Sequence, residues 1–410
     1  MKKKVRTRKK PKKRSKKKVV FLVIDGLADL PIDKKTPLSE ANKPNLDYMT
    51  KNGVTGMLQV ITKSLWEKTI ARTSISHLAN ISLLGYNPKK YNLKRGPLEA
   101  VGSNLPYKEG HLALRCNFAT VDKELIVKDR RAGRNSLGLD KVAGYINENV
   151  KIGPRFVFMR TYGHRAVLII KMDLSDNISE SDPEFVGKKV KRVSALKKDA
   201  LISAKIVQDF IDKSHDVIEY HPVNAKRIEQ GVPPANYILT REAGNSLVAL
   251  PNFKRKHKIK KAVCVAENGV IKATCLLAGF DSITVREEDV DKNLEFIFDS
   301  IKSALTEYDF VFAHIKGVDE AAHDGNFELK KKRIEEIDKR LEFFRSFRGI
   351  LVVTCDHITS CETKKHMYGP VPILVFGKGN DKVKTFDEFS VKKGKLKNYT
   401  GKKLWEFIFK

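Results

Sequence analysis

The stretch Phe310-Val-Phe-Ala-His314-Ile-Lys-Gly-Val-Asp319-Glu-Ala-Ala-His323-Asp-Gly decides how this 410-residue chain is read. Its first four residues form a short apolar run closed by a polar residue, the pattern of a strand buried on both faces. Asp319 and His323 then stand four apart, so on a helix they share a face. A carboxylate and an imidazole on one face can chelate a divalent ion. The alternative, an exposed ion pair, uses the same two residues.

Outward from this stretch the pattern repeats. Val19–Ile24 runs into Asp25, Gly349–Thr354 into Asp356 and His357, and Val371–Phe376 into Gly377; each reads as a buried parallel strand. Asn293–Leu305 and Phe327–Phe344 carry helical patterns between them. Alternating strands and helices predict an α/β sheet, with sites at the carboxyl ends of the strands. His366 comes nine residues after His357, just before the last of these strands. Three carboxylates (Asp25, Asp319, Asp356) and three imidazoles (His323, His357, His366) are the donor complement of two divalent ions. Such a pair can stabilise attacking and leaving oxygens in phosphoryl displacement. Mixed nitrogen and oxygen donors suit Mn²⁺ or Zn²⁺ better than Ca²⁺.

The middle of the chain reads differently. From about 108 to 244 it holds short strand-like runs (Ala166–Ile170, Tyr237–Thr240) and polar loops such as Asp173–Glu184. We therefore expect a core of residues 19–107 and 245–410, with residues 108–244 inserted as a second, α+β domain. Met1–Lys18 has 13 Lys or Arg and no acid within a net charge of +30, and reads as a disordered basic tail. It can touch nucleic acid through phosphates alone. No apolar run approaches the roughly 20 residues of a membrane span, and the start lacks the apolar core of a secretory signal. The five cysteines are scattered without a CxxC pair, which argues against a zinc ribbon or a disulfide framework and fits a reducing cytoplasm.

Several ordered stretches resemble one family. Val-Ile-Asp25-Gly-Leu-Ala-Asp, Leu-Leu-Gly85-Tyr-Asn-Pro, Arg95-Gly-Pro-Leu-Glu-Ala, Cys116-Asn-Phe-Ala-Thr-Val-Asp, Asp129-Arg-Arg-Ala-Gly-Arg134, the His314–His323 stretch and Asp356-His look like the archaeal-type cofactor-independent phosphoglycerate mutases. The likeness runs from about residue 19 to 376. It implies an alkaline-phosphatase-like, doubly wound core with an inserted α+β cap. It also implies exchange of phosphate between the 2- and 3-hydroxyls of glycerate through a phosphoenzyme, with no bisphosphoglycerate. By that resemblance one metal is held at Asp319, His323 and His366, and the other at Asp25, Asp356, His357 and the nucleophile. Manganese is the expected ion, with zinc, cobalt or magnesium as alternatives.

The nucleophile is open at this point. In Arg72-Thr-Ser-Ile-Ser-His-Leu-Ala-Asn-Ile-Ser-Leu-Leu-Gly85, an ungapped count back from Gly85 selects Ser76. Anchoring on His77-Leu-Ala selects Thr73 and needs an insertion, and Ser74 stands third. The resemblance places Arg130, Arg131 and Arg134 on substrate, with Arg115, His164, Arg165, Asp182 and Arg241 in similar contexts; Lys272 looks like a lysine that steadies the transferring phosphate. Arg241-Glu242 stands where an Arg-Gly pair is common in the family. The rival readings are another phosphomonoesterase or phosphomutase of the superfamily, and an inactive relative that binds nucleic acid through its tail.

Overall fold

The computed structural model describes Lys17–Lys410 except residues 70–74, 92 and 287–288, with the side chains of Thr69 and Asn398 also excluded. Fifteen strands follow one another: β1 Val19–Ile24, β2 Gly53–Leu58, β3 His111–Val121, β4 Val127–Asp129, β5 Phe156–Tyr162, β6 Arg165–Asp173, β7 Tyr237–Gly244, β8 Ala262–Glu267, β9 Asp281–Val285, β10 Phe310–Ile315, β11 Ile350–Thr354, β12 Ile358–Ser360, β13 Lys365–Met367, β14 Val371–Phe376 and β15 Leu396–Tyr399. Eight form one sheet in the order β15-β2-β14-β11-β1-β10-β8-β9. The five strands from β11 to β9 in that order are parallel.

Every residue of β1, Val-Val-Phe-Leu-Val-Ile, is buried, because helices cover both faces of the sheet. The helix Val290–Glu307 shows how they do it. Asp289 caps it by accepting from the backbone N–H of Lys292, and Leu294, Ile297, Phe298, Ile301 and Ala304 form its buried stripe. The expected helix at Phe327 runs to Arg340, capped by Asn326, and tightens into a 3₁₀ turn over Leu341–Ser346.

The direction of one strand departs from expectation. Val371–Phe376 (β14) is antiparallel to both β11 and β2. A strand covered on both faces reads as a continuous apolar run in either direction, so its composition is silent on polarity. The hairpin β12–β13 returns the chain to the sheet without the crossover helix that a parallel strand requires.

A second, antiparallel sheet comes from the middle of the chain, in the order β4-β3-β6-β5 with β7 also on β3. Its buried residues, between Leu112 and Leu239, form their own apolar cluster, separate from the cluster of the large sheet. The protein is thus an α/β core with an inserted α+β part. Residues 1–16, most of the basic tail, lie outside the described residues. Lys17 and Lys18 dock on the core: Lys17 Nζ donates to the Gly377 carbonyl, and Ile350 N–H donates to the Lys18 carbonyl.

The last helix, Gly401–Phe409, braces the core from below. Trp405 is 1% exposed and packs against Phe21, Phe253 and Phe310, and its Nε1 donates to the Leu83 carbonyl at 2.7 Å. Trp405→Ala should cost about 3–5 kcal/mol, from lost packing and an orphaned carbonyl. Urea denaturation monitored by circular dichroism checks this; a loss below about 1 kcal/mol would contradict the packing described.

Candidate active site

The carboxyl ends of β1, β10 and β11 lie side by side, and each strand runs into polar residues there. Asp25 closes β1. After β10 a turn at Gly317 leads into the helix Val318–His323, whose first and last turns carry Asp319 and His323. Asp356 and His357 come just after β11, and the hairpin returns His366 to the same place. Gly26 makes this convergence possible. It sits at φ +64°, and a Cβ there would lie 2.7 Å from Asp319 Oδ1 and 2.8 Å from Thr359 Oγ1. Only glycine lets the two loops touch.

Three donor groups result: Asp319, His323 and His366; Asp25, Asp319 and His357; and Asp25, His314 and Asp356. Within each, the ligand atoms lie within 4.8 Å of one another. His323 Nε2 is 3.0 Å from His366 Nε2 and 3.4 Å from Asp319 Oδ2. His357 Nε2 is 3.4 Å from Asp25 Oδ1 and 3.3 Å from Asp356 Oδ2. Ser76 opens the helix Ser76–Leu83, and its Oγ is 3.2 Å from the same His357 nitrogen. The alternatives Thr73 and Ser74 fall outside the described residues.

The hydrogen bonds assign the His357 tautomer. Thr359 donates its hydroxyl proton to Asp319 Oδ1 at 2.7 Å, so it accepts from His357 Nδ1–H at 3.0 Å. Nε2 therefore carries the lone pair, aimed at two carboxylate oxygens and the Ser76 hydroxyl. His323 differs: its Nδ1 is 2.9 Å from the Lys364 carbonyl, and its Nε2 faces Asp319 Oδ2 at 3.4 Å.

So many inward lone pairs repel one another. Burial, then Asp356 and Asp319, raise Asp25 well above the usual carboxylate range; burial and Asp319 push Asp356 up to about 7. Burial drives His357 down to about 4 and His314 to about 3, so both rings are neutral. Burial also works against charge on Asp319, but hydrogen bonds from His323 and His366 hold its pKa well down, and the same contact raises His323. Asp25 Oδ1 and His314 Nε2 are buried without a hydrogen-bond partner among the described residues. The neutral imidazoles of His314 and His357, the crowded carboxylates and the unpartnered Asp25 Oδ1 fit divalent cations.

Facing these groups is a cleft of about 790 Å³ whose other wall comes from the second sheet. Arg115, Arg130, Arg131, Arg134, His164, Arg165 and Arg241 all line it, with Asp25, Ser76, Asp319, His323 and His366 on the core side. Asp129 shapes the Asp-Arg-Arg-Ala-Gly-Arg motif. Its carboxylate accepts the N–H groups of Arg131 (2.6 Å) and Gly133 (3.0 Å), and Gly133 turns at φ +70°. Arg134 pairs across the cleft with Asp324 at 3.2 Å, one residue beyond His323. His164 is pushed down to about 2 by burial and then by the neighbouring arginines, so it faces the cleft uncharged.

Asp182, expected on substrate, and Lys272, expected on the transferring phosphate, do not line this cleft. Asp182 is fully buried behind Arg130, gripping it at 2.8 and 2.6 Å, and orients an arginine instead of meeting substrate. Lys272 is likewise buried, its Nζ donating to Thr284 Oγ1 at 2.7 Å and Asn268 Oδ1 at 3.2 Å. It faces β9, where its ammonium is needed by a hydroxyl and an amide. The lysine that reaches the cleft is Lys316, ion-paired to Glu267 and 5.3 Å from the centre of the Tyr162 ring. Lys316, His314 and Thr359 are site residues that sequence reasoning passed over. His314 closes an apolar run and reads as a strand residue; Lys316, two positions beyond it, was the available signal.

Residues 50–224 match the family model described as 2,3-bisphosphoglycerate-independent phosphoglycerate mutase. Curated relatives of that description include one from Methanosphaera stadtmanae, 38% identical over 92% of this chain and 94% of its own, and one from Archaeoglobus fulgidus, 39% identical over 92% and 94%. Among solved structures, the cofactor-independent phosphoglycerate mutase from Thermoplasma acidophilum is 30% identical with a TM-score of 0.61, covering 96% of this chain and 99% of that one. A Pyrococcus horikoshii protein reaches a TM-score of 0.74 at 27% identity, with 96% of each chain covered. Nearly the whole length is matched at these identities, and the chain belongs to the 2,3-bisphosphoglycerate-independent phosphoglycerate mutases.

Proposed function

We propose that this chain interconverts 3-phosphoglycerate and 2-phosphoglycerate, a glycolytic and gluconeogenic step, through a phosphoserine at Ser76 beside two divalent ions. The observation that carries the reading is the placement of Ser76 Oγ at 3.2 Å from His357 Nε2, between the donor groups and the arginine wall. Asp319, His323 and His366 would hold one ion, and Asp25, Asp356 and His357 the other, with His314 beside it. Manganese suits the mixed donors best. When bound, the ions supply positive charge that lowers the Ser76 hydroxyl pKa and screens the phosphate.

The chain's own residues do the rest. Ser76 Oγ gives up its proton and forms a bond to phosphorus as the bond from phosphorus to the glycerate oxygen breaks, and that oxygen takes up a proton and leaves as a hydroxyl. Arg131 and Arg165, neither within ion-pair distance of a carboxylate among the described residues, hold the free glycerate by its carboxylate. Its other hydroxyl then attacks the phosphoserine, restoring Ser76. Residues 108–244 would act as a cap on a core of 19–107 and 245–410. The Arg134–Asp324 pair closes the cap against water, which would otherwise hydrolyse the phosphoserine.

The five free cysteines are all buried, which fits a reducing cytoplasm. No helix among the described residues is long and apolar enough to cross a membrane. The tail's expected contact with nucleic acid falls on positions outside the described residues.

The direct test is incubation of the manganese-loaded protein with 3-phosphoglycerate, scored for 2-phosphoglycerate against free phosphate. Free phosphate as the main product would replace the mutase reading with a phosphatase. Ser76→Ala should lower turnover by on the order of 10³-fold or more and abolish acid-stable phosphoprotein. Thr73→Ala and Ser74→Ala should only reduce it; full loss in Thr73→Ala with an active Ser76→Ala would move the nucleophile. Arg131→Ala should impair turnover on 3-phosphoglycerate with metal content unchanged, and unaltered kinetics would remove it from the site. Metal must displace the proton that Asp356, pushed up to about 7, retains below that pH without it. Manganese affinity should therefore fall as the pH drops below about 7, approaching roughly tenfold per unit for that proton; titration calorimetry showing no pH dependence would contradict this.

A further inference from the structure

Deep in the cleft, four charged side chains are packed together and largely buried. Arg95 and Glu99 come from the helix Arg95–Gly102, Arg115 from β3 and Glu242 from β7. Arg95 Nε is 3.2 Å from Glu99 and 3.3 Å from Glu242; Arg115 Nη1 is 3.2 Å from Glu242, and its Nε 3.9 Å from Glu99. These side chains are 6–7% exposed, and all four residues line the cleft that Asp25 and Ser76 line.

Glu242 is the odd member. Its backbone is at φ +53°, the left-handed region that a branched or long side chain occupies at a cost and glycine occupies freely. Glu180 holds it there by accepting the Glu242 N–H at 3.2 Å. Burial favours the neutral acid, but Arg95, Arg115 and Arg241 outweigh it and hold Glu242 down to about 2, so the group is an anion. A strained backbone thus delivers a carboxylate between two arginines of an anion-binding cleft, while Arg131 and Arg165 have no such partner among the described residues.

We propose that Glu242 is a specificity-determining residue whose carboxylate fills one of the anion seats of the cleft, leaving the other for the substrate. The proposal rests on the reading of this cleft as the substrate site. The filled seat restricts the cleft to ligands with one carboxylate besides the transferring phosphate, because a further anion would meet Glu242 instead of two free guanidinium groups. A seat shaped for a carboxylate should accept a small carboxylate from solution once its own is removed. Glycine suits the backbone at 242, so Glu242→Gly relieves strain while vacating the seat. Glu242→Gln keeps the seat filled and removes only the charge.

The test compares melting temperatures of the full-length, manganese-loaded wild type and both variants in excess sodium acetate and in sodium chloride of equal ionic strength. Acetate should raise the melting temperature of Glu242→Gly by about 2 °C more than chloride does, and should leave the other two proteins unmoved. An equal response in all three, or none in Glu242→Gly, overturns the seat and leaves the four charges as a structural tie between helix and strands. Should Glu242→Gly fail to fold, Glu242→Gln decides by calorimetry with inorganic phosphate. The cleft has then lost one negative charge, so the dissociation constant should fall several-fold, and an unchanged or weaker value overturns the proposal. Neither readout uses mutase turnover. A failure here leaves the mutase reading standing, and a chain without mutase activity can still pass this test.

Discussion

Repulsion among buried acceptors is the constraint around which this molecule is built. Asp25, Asp319 and Asp356 are brought together with the neutral ring of His314 and the lone-pair nitrogen of His357 at the end of a sheet whose interior holds almost nothing polar. Left to themselves such groups would separate or take up protons. They stay because each is fixed from behind: Asp25 and Asp356 by central strands, Asp319 by the Thr359 hydroxyl, His323 by the Lys364 carbonyl. The sheet provides the rigidity, and in the proposed reading bound cations supply the opposing charge.

The arginine wall presents the same problem with the sign reversed. Arginines crowded on one face of a cleft repel each other, and the chain manages this by rationing carboxylates. Asp182 takes Arg130, Asp324 takes Arg134, and Glu99 with Glu242 take Arg95 and Arg115. What remains uncompensated is a small remnant of a large positive charge. Counting basic residues in the sequence therefore overstates the anion-binding capacity of the cleft.

The sequence was most legible where geometry is local. Strands ending in Asp25, Asp356 and His314 declare themselves by an abrupt change of polarity, and Asp319 with His323 by helical spacing. His366 is marked by its place before another strand. Legibility ended where a partner is distant or a face is hidden. Asp182 lies 52 residues from the arginine it orients. Lys272 sits on a helix whose outward face the residues Gly-Val-Ile-Lys do not disclose. His314 reads as the end of a strand, and an acid such as Glu242 among arginines reads as ordinary surface charge. The reversed direction of β14 is invisible for a simpler reason: a doubly covered strand has the same composition either way.

The place of β1 has a consequence for how the chain is made. Val19 pairs with Phe310 on one side and Ile350 on the other, so β1 must wait for two strands made about 290 residues or more after it. The strands between His111 and Gly244 pair only among themselves and can close as soon as they emerge. Assembly of the core is therefore a late, long-range event, slow by topology and dependent on apolar segments that stay unpaired meanwhile. A nascent chain of this kind holds a finished insertion and an open sheet at once, and its exposure to aggregation is set by the interval between the two.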